Sequence, residues 1–411
     1  MKRLVVISVL LLALILAGCT EKTSDPVDPD PSVRQLTQAE QTLTDGSNTF
    51  GYKIFSALCA DEPDSNIFIS PLSISTALSM AINGARGETH DAMVATLEII
   101  GLTDDEINSN YETLTELLTT IDTVVTFEIA NSVWCRDDFN PNQSFLDKLA
   151  RHYDAGAEKL DFGSPAALET INNWVDEKTH GRIPKIINNI ERDIVMYLIN
   201  AIYFNALWTE DFDPELTMEL PFTLSDGSTM NCQMMTKGEI PVEFFENDDV
   251  KAVRLPYGNE NYHFIAVLPK QVTPDDLAAT LTDDVWSKWM DSFTETEINL
   301  GIPKLQLSYG NTLDNILKAM GMGIAFTPQA DFCNIDSLGG LYISEVVHKS
   351  FLKIDEEGTE ATAVTSVGFG RIGGPVIPNF FASNPFLFAI WKSNSNSILF
   401  LGKIEKPVFD E

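Results

Sequence analysis

His348-Lys349-Ser350-Phe351-Leu352-Lys353-Ile354-Asp355-Glu356-Glu357-Gly358-Thr359-Glu360-Ala361-Thr362-Ala363-Val364-Thr365-Ser366-Val367 runs directly into Gly368-Phe369-Gly370-Arg371-Ile372-Gly373-Gly374-Pro375. The stretch begins as a strand and ends as a loop. From Thr359 to Val367 one alternating set, Thr359, Ala361, Ala363, Thr365 and Val367, is small or β-branched and uncharged, while Glu360 carries the only charge on the other set. Alternate residues of a strand face opposite sides, so the segment can lie in a sheet with one face on a core and Glu360 in water. The glycines and Pro375 beside it mark exposed loop instead. The pattern is that of a strand held outside a sheet.

Asp355-Glu356-Glu357-Gly358-Thr359-Glu360-Ala361-Thr362-Ala363 resembles the hinge of the reactive-centre loop of the serpin family, a family of bistable protease inhibitors. The resemblance implies an α+β fold with three β-sheets, about eight to nine helices and an exposed reactive-centre loop over about residues 356–380. It assigns the hinge to Glu356, Gly358, Thr359, Glu360, Ala361, Thr362 and Ala363. Counting along the loop as family members usually do places the reactive bond at Ile372-Gly373. Arg371 beside it suits the acidic pocket of a trypsin-like protease, so the cut is expected after Arg371 or Ile372.

Outward from this stretch, Asn66 to Met80 reads as a short strand running into a helix opened by Ser70 and Pro71, a good helix start. Apolar spacing predicts a helix over Thr44 to Ala60, another over Ile171 to Ile183 closed by Gly181, and one from Asn311 to Met320. Met196 to Phe212 is almost continuously apolar, broken by Asn200 and Asn205, as in a central strand buried on both faces. Leu341 to Val347 reads as a strand leading to His348, a buried, hydrogen-bonded histidine. Asn384 to Ile404 reads as a hairpin of buried strands. These stretches are similar to serpin segments in the family's order, over about residues 40–408. The resemblance implies that Ser70, Ser73, Asn200 and His348 form the polar shutter beneath the main sheet, and that Trp208 sits in the breach where the loop begins to insert.

The chain has 411 residues, is 44% hydrophobic and carries a formal charge of −33. So acidic a surface keeps a protein soluble and makes nucleic acid an implausible partner. Lys2 and Arg3, the apolar run from Leu4 to Leu16 and then Leu16-Ala17-Gly18-Cys19 resemble the lipobox of a prokaryotic lipoprotein. Residues 1–18 are therefore expected to be a signal peptide and Cys19 a lipidated N-terminus. Residues 19–39 read as an acidic, Pro-rich tether, and 40–411 as one serpin domain. The expected location is the cell envelope or surface of a prokaryote, anchored through the lipid on Cys19. Cys59, Cys135, Cys232 and Cys333 are widely spaced, with neither C-x-x-C nor metal-ligand spacing, and read as packed, unpaired residues. No metal or cofactor is expected.

Gly368-Phe369-Gly370-Arg371-Ile372-Gly373 matches the G-x-G-x-x-G dinucleotide fingerprint by letter, but Pro375 and Pro378 prevent the helix that motif needs and no acid follows near Ser393. The five histidines, His90, His152, His180, His263 and His348, carry no catalytic motif around them. No residue is assigned a catalytic role. The expected function is suicide inhibition of a serine or cysteine protease, trypsin-like or elastase- or subtilisin-like, with the cleaved loop inserted into the main sheet. A non-inhibitory serpin acting as a membrane-tethered binding or structural protein is the alternative. Gly368 and Gly370 depart from the family's pattern, because glycine weakens an inserted strand.

Overall fold

Thr37 opens α1 (Gln38–Asp61) with a capping box, its hydroxyl accepting from Glu40 N at 3.2 Å while the Glu40 carboxylate accepts from Thr37 N at 2.7 Å. The computed structural model describes residues 34–120, 122, 124–358 and 377–409. Ser70 caps α2 (Pro71–Ile82) with its hydroxyl, which accepts from Ser73 N, and Pro71 sits in the first turn. Seven more α-helices follow among the described residues: α3 (Gly87–Thr96), α4 (Asp104–Thr120), α5 (Gln143–Tyr153), α6 (Pro165–Lys178), α7 (Pro274–Ala279), α8 (Asp283–Ser292) and α9 (Asp314–Leu317).

The strands are β1 (Ile67–Ile69), β2 (Val125–Arg136), β3 (Gly156–Leu160), β4 (Met196–Ala206), β5 (Met218–Thr223), β6 (Thr229–Glu246) and β7 (Val250–Tyr257). After them come β8 (Tyr262–Pro269), β9 (Thr294–Pro303), β10 (Leu305–Thr312), β11 (Val347–Ile354), β12 (Asn379–Phe381), β13 (Phe386–Lys392) and β14 (Ser397–Ile404). They form three sheets. One runs β1-β14-β13-β8-β7-β6-β9-β12 with β5 paired to β6; the second is β3-β2-β4 and the third β10-β11. The α+β architecture is as the sequence implied. The hydrophobic core lies between the nine-stranded sheet and the two small ones, with α2 buried in the middle along almost its whole length.

Several boundaries differ from the sequence reading, some for local reasons and some because distant groups claim the backbone. The first helix starts six residues before Thr44, because Thr37 and Glu40 supply the box. The helix expected to close at Gly181 ends at Lys178, and His180 and Gly181 both take left-handed conformations (φ 50° and 80°). Residues 341–346 are not a strand: Ile343 N is bound to Ala325 O (2.8 Å) and Val346 N to the Asp314 carboxylate (2.8 Å), so their donors are committed elsewhere. His348 therefore lies within β11 and not after a strand. The helix expected from Asn311 starts at Asp314, because β10 keeps pairing with β11 as far as Thr312↔Val347. The apolar strand expected to reach Phe212 ends at Ala206, and much of it is only half-buried, because among the described residues one of its edges has no neighbour.

Candidate functional site

β4 is bonded to β2 along one edge, and β11 to β10 along one edge. Their other edges face each other, and among the described residues no ladder joins them. The result is a slot between the two small sheets. Its foot opens into a cavity of about 300 Å³ lined by Ile74, Ala77 and Leu78 of α2, Met196 and Leu198 of β4, and Ile343. The outer side is roofed by α6 and the segment 183–194, whose Ile186, Ile187 and Ile194 cluster with Val347 and Phe351 of β11. Asn172 of α6 fixes that segment, accepting from Ile186 N (2.8 Å) and Ile187 N (3.1 Å) and donating to Ile187 O (3.0 Å).

The head of the slot is clasped. After Ile354 the chain reverses in a tight turn, with Asp355 N donating to Gly358 O (2.9 Å) and Gly358 N to Asp355 O (3.2 Å). Gly358 also bridges Leu207 just past the end of β4. Its φ is 136°, and a Cβ there would stand 2.3 Å from Ala206 O, so only glycine fits. Trp208 holds the turn from the β4 side: its backbone N donates to Glu357 O (2.8 Å) and its indole Nε1 to Asp355 O (2.9 Å). The indole stacks on Tyr257 at 4.4 Å, nearly parallel, and is 4% exposed. Glu356 is buried beneath the turn, where its carboxylate meets Lys304 Nζ at 2.8 Å and accepts from Thr217 Oγ1 at 2.7 Å. Burial opposes its ionisation, but the bonds from Lys304 and Thr217 outweigh it and hold the carboxyl below its ordinary range.

Lower in the slot lie the four residues assigned to the shutter. Ser70 N donates to His348 Nε2 at 3.2 Å, which leaves the ring proton on Nδ1. Ser73 Oγ donates to Asn200 Oδ1, and Asn200 Nδ2 to Asn131 Oδ1 at 2.8 Å. Ser70 Oγ joins the two halves by accepting from Ser73 N at 3.2 Å. The structure thus brings Ser70, Ser73, Asn200 and His348 together, and adds Asn131. Burial pushes the His348 imidazole down to about 4, so the ring is neutral at pH 7.

Of the expected hinge, Glu356 and Gly358 are described. Thr359, Glu360, Ala361, Thr362 and Ala363 lie outside the described residues, as do Arg371, Ile372, Gly373 and Cys19. Cys59, Cys135 and Cys232 are buried and Cys333 is half-buried, all as free thiols. The sequence reading missed Lys304 and Thr217, which are far from Glu356 in the chain. The available signal was Glu356 itself, since a hinge carboxylate buried in the fold needs a cation or donors.

Residues 45–407 match the family model described as Serpin (serine protease inhibitor). Leukocyte elastase inhibitor of Xenopus laevis is 31% identical over 379 residues, covering 89% of this chain and all of that protein. Serpin B9 of Homo sapiens is likewise 31% identical over 378 residues, covering 89% of this chain and all of that one. Among solved structures, the thermophilic serpin tengpin in its native state aligns with a TM-score of 0.80 at 32% identity, over 91% of this chain and 95% of that one. Human thyroxine-binding globulin in complex with thyroxine aligns with a TM-score of 0.82 at 27% identity, over 90% of this chain and all of that one. With the family model spanning most of its length and the slot, clasp and α+β architecture in place, the chain belongs to the serpin family.

Proposed function

We propose that this chain is a suicide-type inhibitor of serine or cysteine proteases, which traps its target by inserting the cleaved loop between β4 and β11. The target's nucleophile attacks the loop carbonyl, the peptide C–N bond breaks, the new amine leaves, and an ester or thioester holds the protease on the loop. Insertion then carries the protease away before water hydrolyses that bond.

The observation that carries the reading is the slot: two facing strand edges without a partner among the described residues, with the chain already turned into their head at Gly358. Edge strands are templates for another strand. A strand seated there gains hydrogen bonds on both sides, roughly a dozen at about 1 kcal/mol each. The uncharged set Thr359, Ala361, Ala363, Thr365 and Val367 supplies a face fit for burial. The names of the inhibitors among the relatives point the same way.

Incubation with a panel of serine and cysteine proteases, followed by denaturing electrophoresis and mass analysis, tests it. A covalent complex and a cut after Arg371 or Ile372 are the expected outcome. Cleavage of wild type without complex, and with no gain in thermal stability, would favour the second reading: a non-inhibitory binding protein. That reading draws on the two glycines in the loop and on relatives such as thyroxine-binding globulin.

The anchor belongs to the same proposal. Cys19 carries lipid and the acidic tether holds the domain off the membrane of the cell envelope. Cys19→Ala is expected to move the protein from the membrane fraction to the soluble one after a salt wash. Unchanged membrane retention would sink this part.

A further inference from the structure

The clasp at the head of the slot is held at two levels. Its backbone carbonyls are bound from the β4 side: Asp355 O by the Trp208 indole, Glu357 O by Trp208 N, and Glu356 O by Phe212 N at 2.7 Å. Its carboxylates are bound by lysines, Glu356 by Lys304 at 2.8 Å and Asp355 by Lys353 at 3.0 Å. These four side chains are only 10–27% exposed, so the pairs are less screened than those of an open surface. Lys304 lies in the link between β9 and β10, its backbone N bonded to Gln233 O (2.8 Å), and Lys353 lies in β11.

Both ammonium groups share a third neighbour. The centre of the Phe409 ring is 4.4 Å from Lys304 Nζ and 5.7 Å from Lys353 Nζ. The segment that follows β14 carries the ring there: Gln306 N of β10 donates to Val408 O at 2.6 Å. Gln306 is two residues from Lys304 and is the cross-strand partner of Lys353, so a side chain leaving the chain beside it reaches both lysines.

The chemistry of a phenyl ring suits this place. Its face carries the negative end of a quadrupole and attracts a cation within about 6 Å of the centre. A carboxylate at position 409 would compete with Glu356 and Asp355 for the same lysines, and an aliphatic side chain would cover the lysine stems without attracting the ammonium groups. A lysine also loses rotamer freedom when it pairs; one already drawn over a ring loses less on meeting its carboxylate. We propose that Phe409 is a positioning residue for the clasp: its ring holds Lys304 and Lys353 over Glu356 and Asp355, so that the segment after β14 sets how readily the turn leaves the head of the slot. The assignment of the ring stands on this geometry. Its bearing on protease trapping rests on the inhibitory reading above, in which a looser clasp shortens the interval between cleavage and insertion.

Amide hydrogen exchange of the intact protein tests the assignment. The amide protons of Trp208 and Phe212 are bonded to clasp carbonyls, so they exchange when the turn opens. Wild type is compared with Phe409→Leu, which keeps apolar bulk without a π face, with Phe409→Tyr, which keeps the face, and with Val408→Ala as a control in the same segment. Phe409→Leu is expected to exchange about three- to tenfold faster at these two amides, with Phe409→Tyr and Val408→Ala within about twofold of wild type and the amides of β13 unchanged throughout. Wild-type exchange in Phe409→Leu, equal acceleration in Phe409→Tyr, or acceleration that extends equally to β13 would each overturn the positioning role and leave inhibition standing. Against one protease that wild type traps, Phe409→Leu is expected to raise the ratio of covalent complex to cleaved free protein by about two- to threefold. An unchanged ratio alongside faster exchange would overturn the link to trapping, and wild type that traps no protease would sink the inhibitory reading while the exchange result still decides the role of the ring.

Discussion

The nine-stranded sheet and the pair of sheets around the slot are made of similar strands in opposite conditions. In the first, every residue of β13 and β14 is buried, and Phe68 stacks between Phe388 (5.7 Å) and Phe400 (5.0 Å). The Phe388 ring lies so close over Gly402 that a Cβ there would stand 2.0 Å from it. Nothing more can be added to that packing. Around the slot, Met196, Tyr197 and Leu198 remain half-buried, and among the described residues two strand edges have no ladder between them. The closed region is packed to completion, while the open one is where, on the proposed mechanism, an inserted strand would add stabilisation.

That contrast can be broken most severely at Thr359, the first residue of the uncharged alternating set that follows Gly358. Thr359→Arg would bury an unpaired charge at a cost of several kcal/mol. Cleavage is expected to persist while the ratio of covalent complex to cleaved free protein falls by about tenfold or more, as read on denaturing gels. Unaltered trapping would mean that the slot is not where the loop goes.

Phe388→Ala probes the closed region. Removing a ring packed against Phe68, Phe264 and Phe386 is expected to destabilise the protein by about 3–5 kcal/mol. Urea unfolding of intact and cleaved protein should show the same loss in both, because this core does not change on insertion. A loss confined to one form would show that the two regions are coupled.

The subtlest test is titration of His348. An unfolded histidine takes up its proton near pH 6.5, and the folded ring only near 4. Between those values the unfolded state holds more protons, so stability is complete above pH 6.5 and declines as the pH falls toward 4, by up to roughly 3 kcal/mol. His263 is pushed down to about 4 by burial as well, so the diagnostic is the difference between wild type and His348→Gln. The variant is expected to lose about half of the decline across this window in urea titrations. An unchanged profile would mean that the ring does not titrate as its burial requires.

Much of this architecture was legible in the chain because local rules and tertiary demands agree there. Ser70-Pro71 makes a helix start in any context, and the Asn384–Ile404 run is apolar on both faces because both faces are covered. Beyond shifted helix ends, the elements read wrongly are those whose backbone donors were claimed from a distance. Asp314 takes Val346 N out of the strand expected at residues 341–346, and no short-range pattern announces that. The site divides in the same way. Glu356, Gly358, Ser70, Ser73, Asn200, Trp208 and His348 could be named because each lies in a stretch with a recognisable pattern. Lys304, Thr217 and Asn131 lie in ordinary strands or turns and matter only through what they touch.

The bridge between Gly358 and Leu207 has one more consequence, which concerns competition. A strand that begins covalently attached at the head of the slot is present there at an effective concentration in the millimolar range, as short linkers give. On the proposed inhibitory mechanism, pairing would then proceed from Gly358 without a separate binding step. A loop from a second molecule must bind from free solution and displace that advantage, so exchange between molecules is confined to protein concentrations approaching the same range.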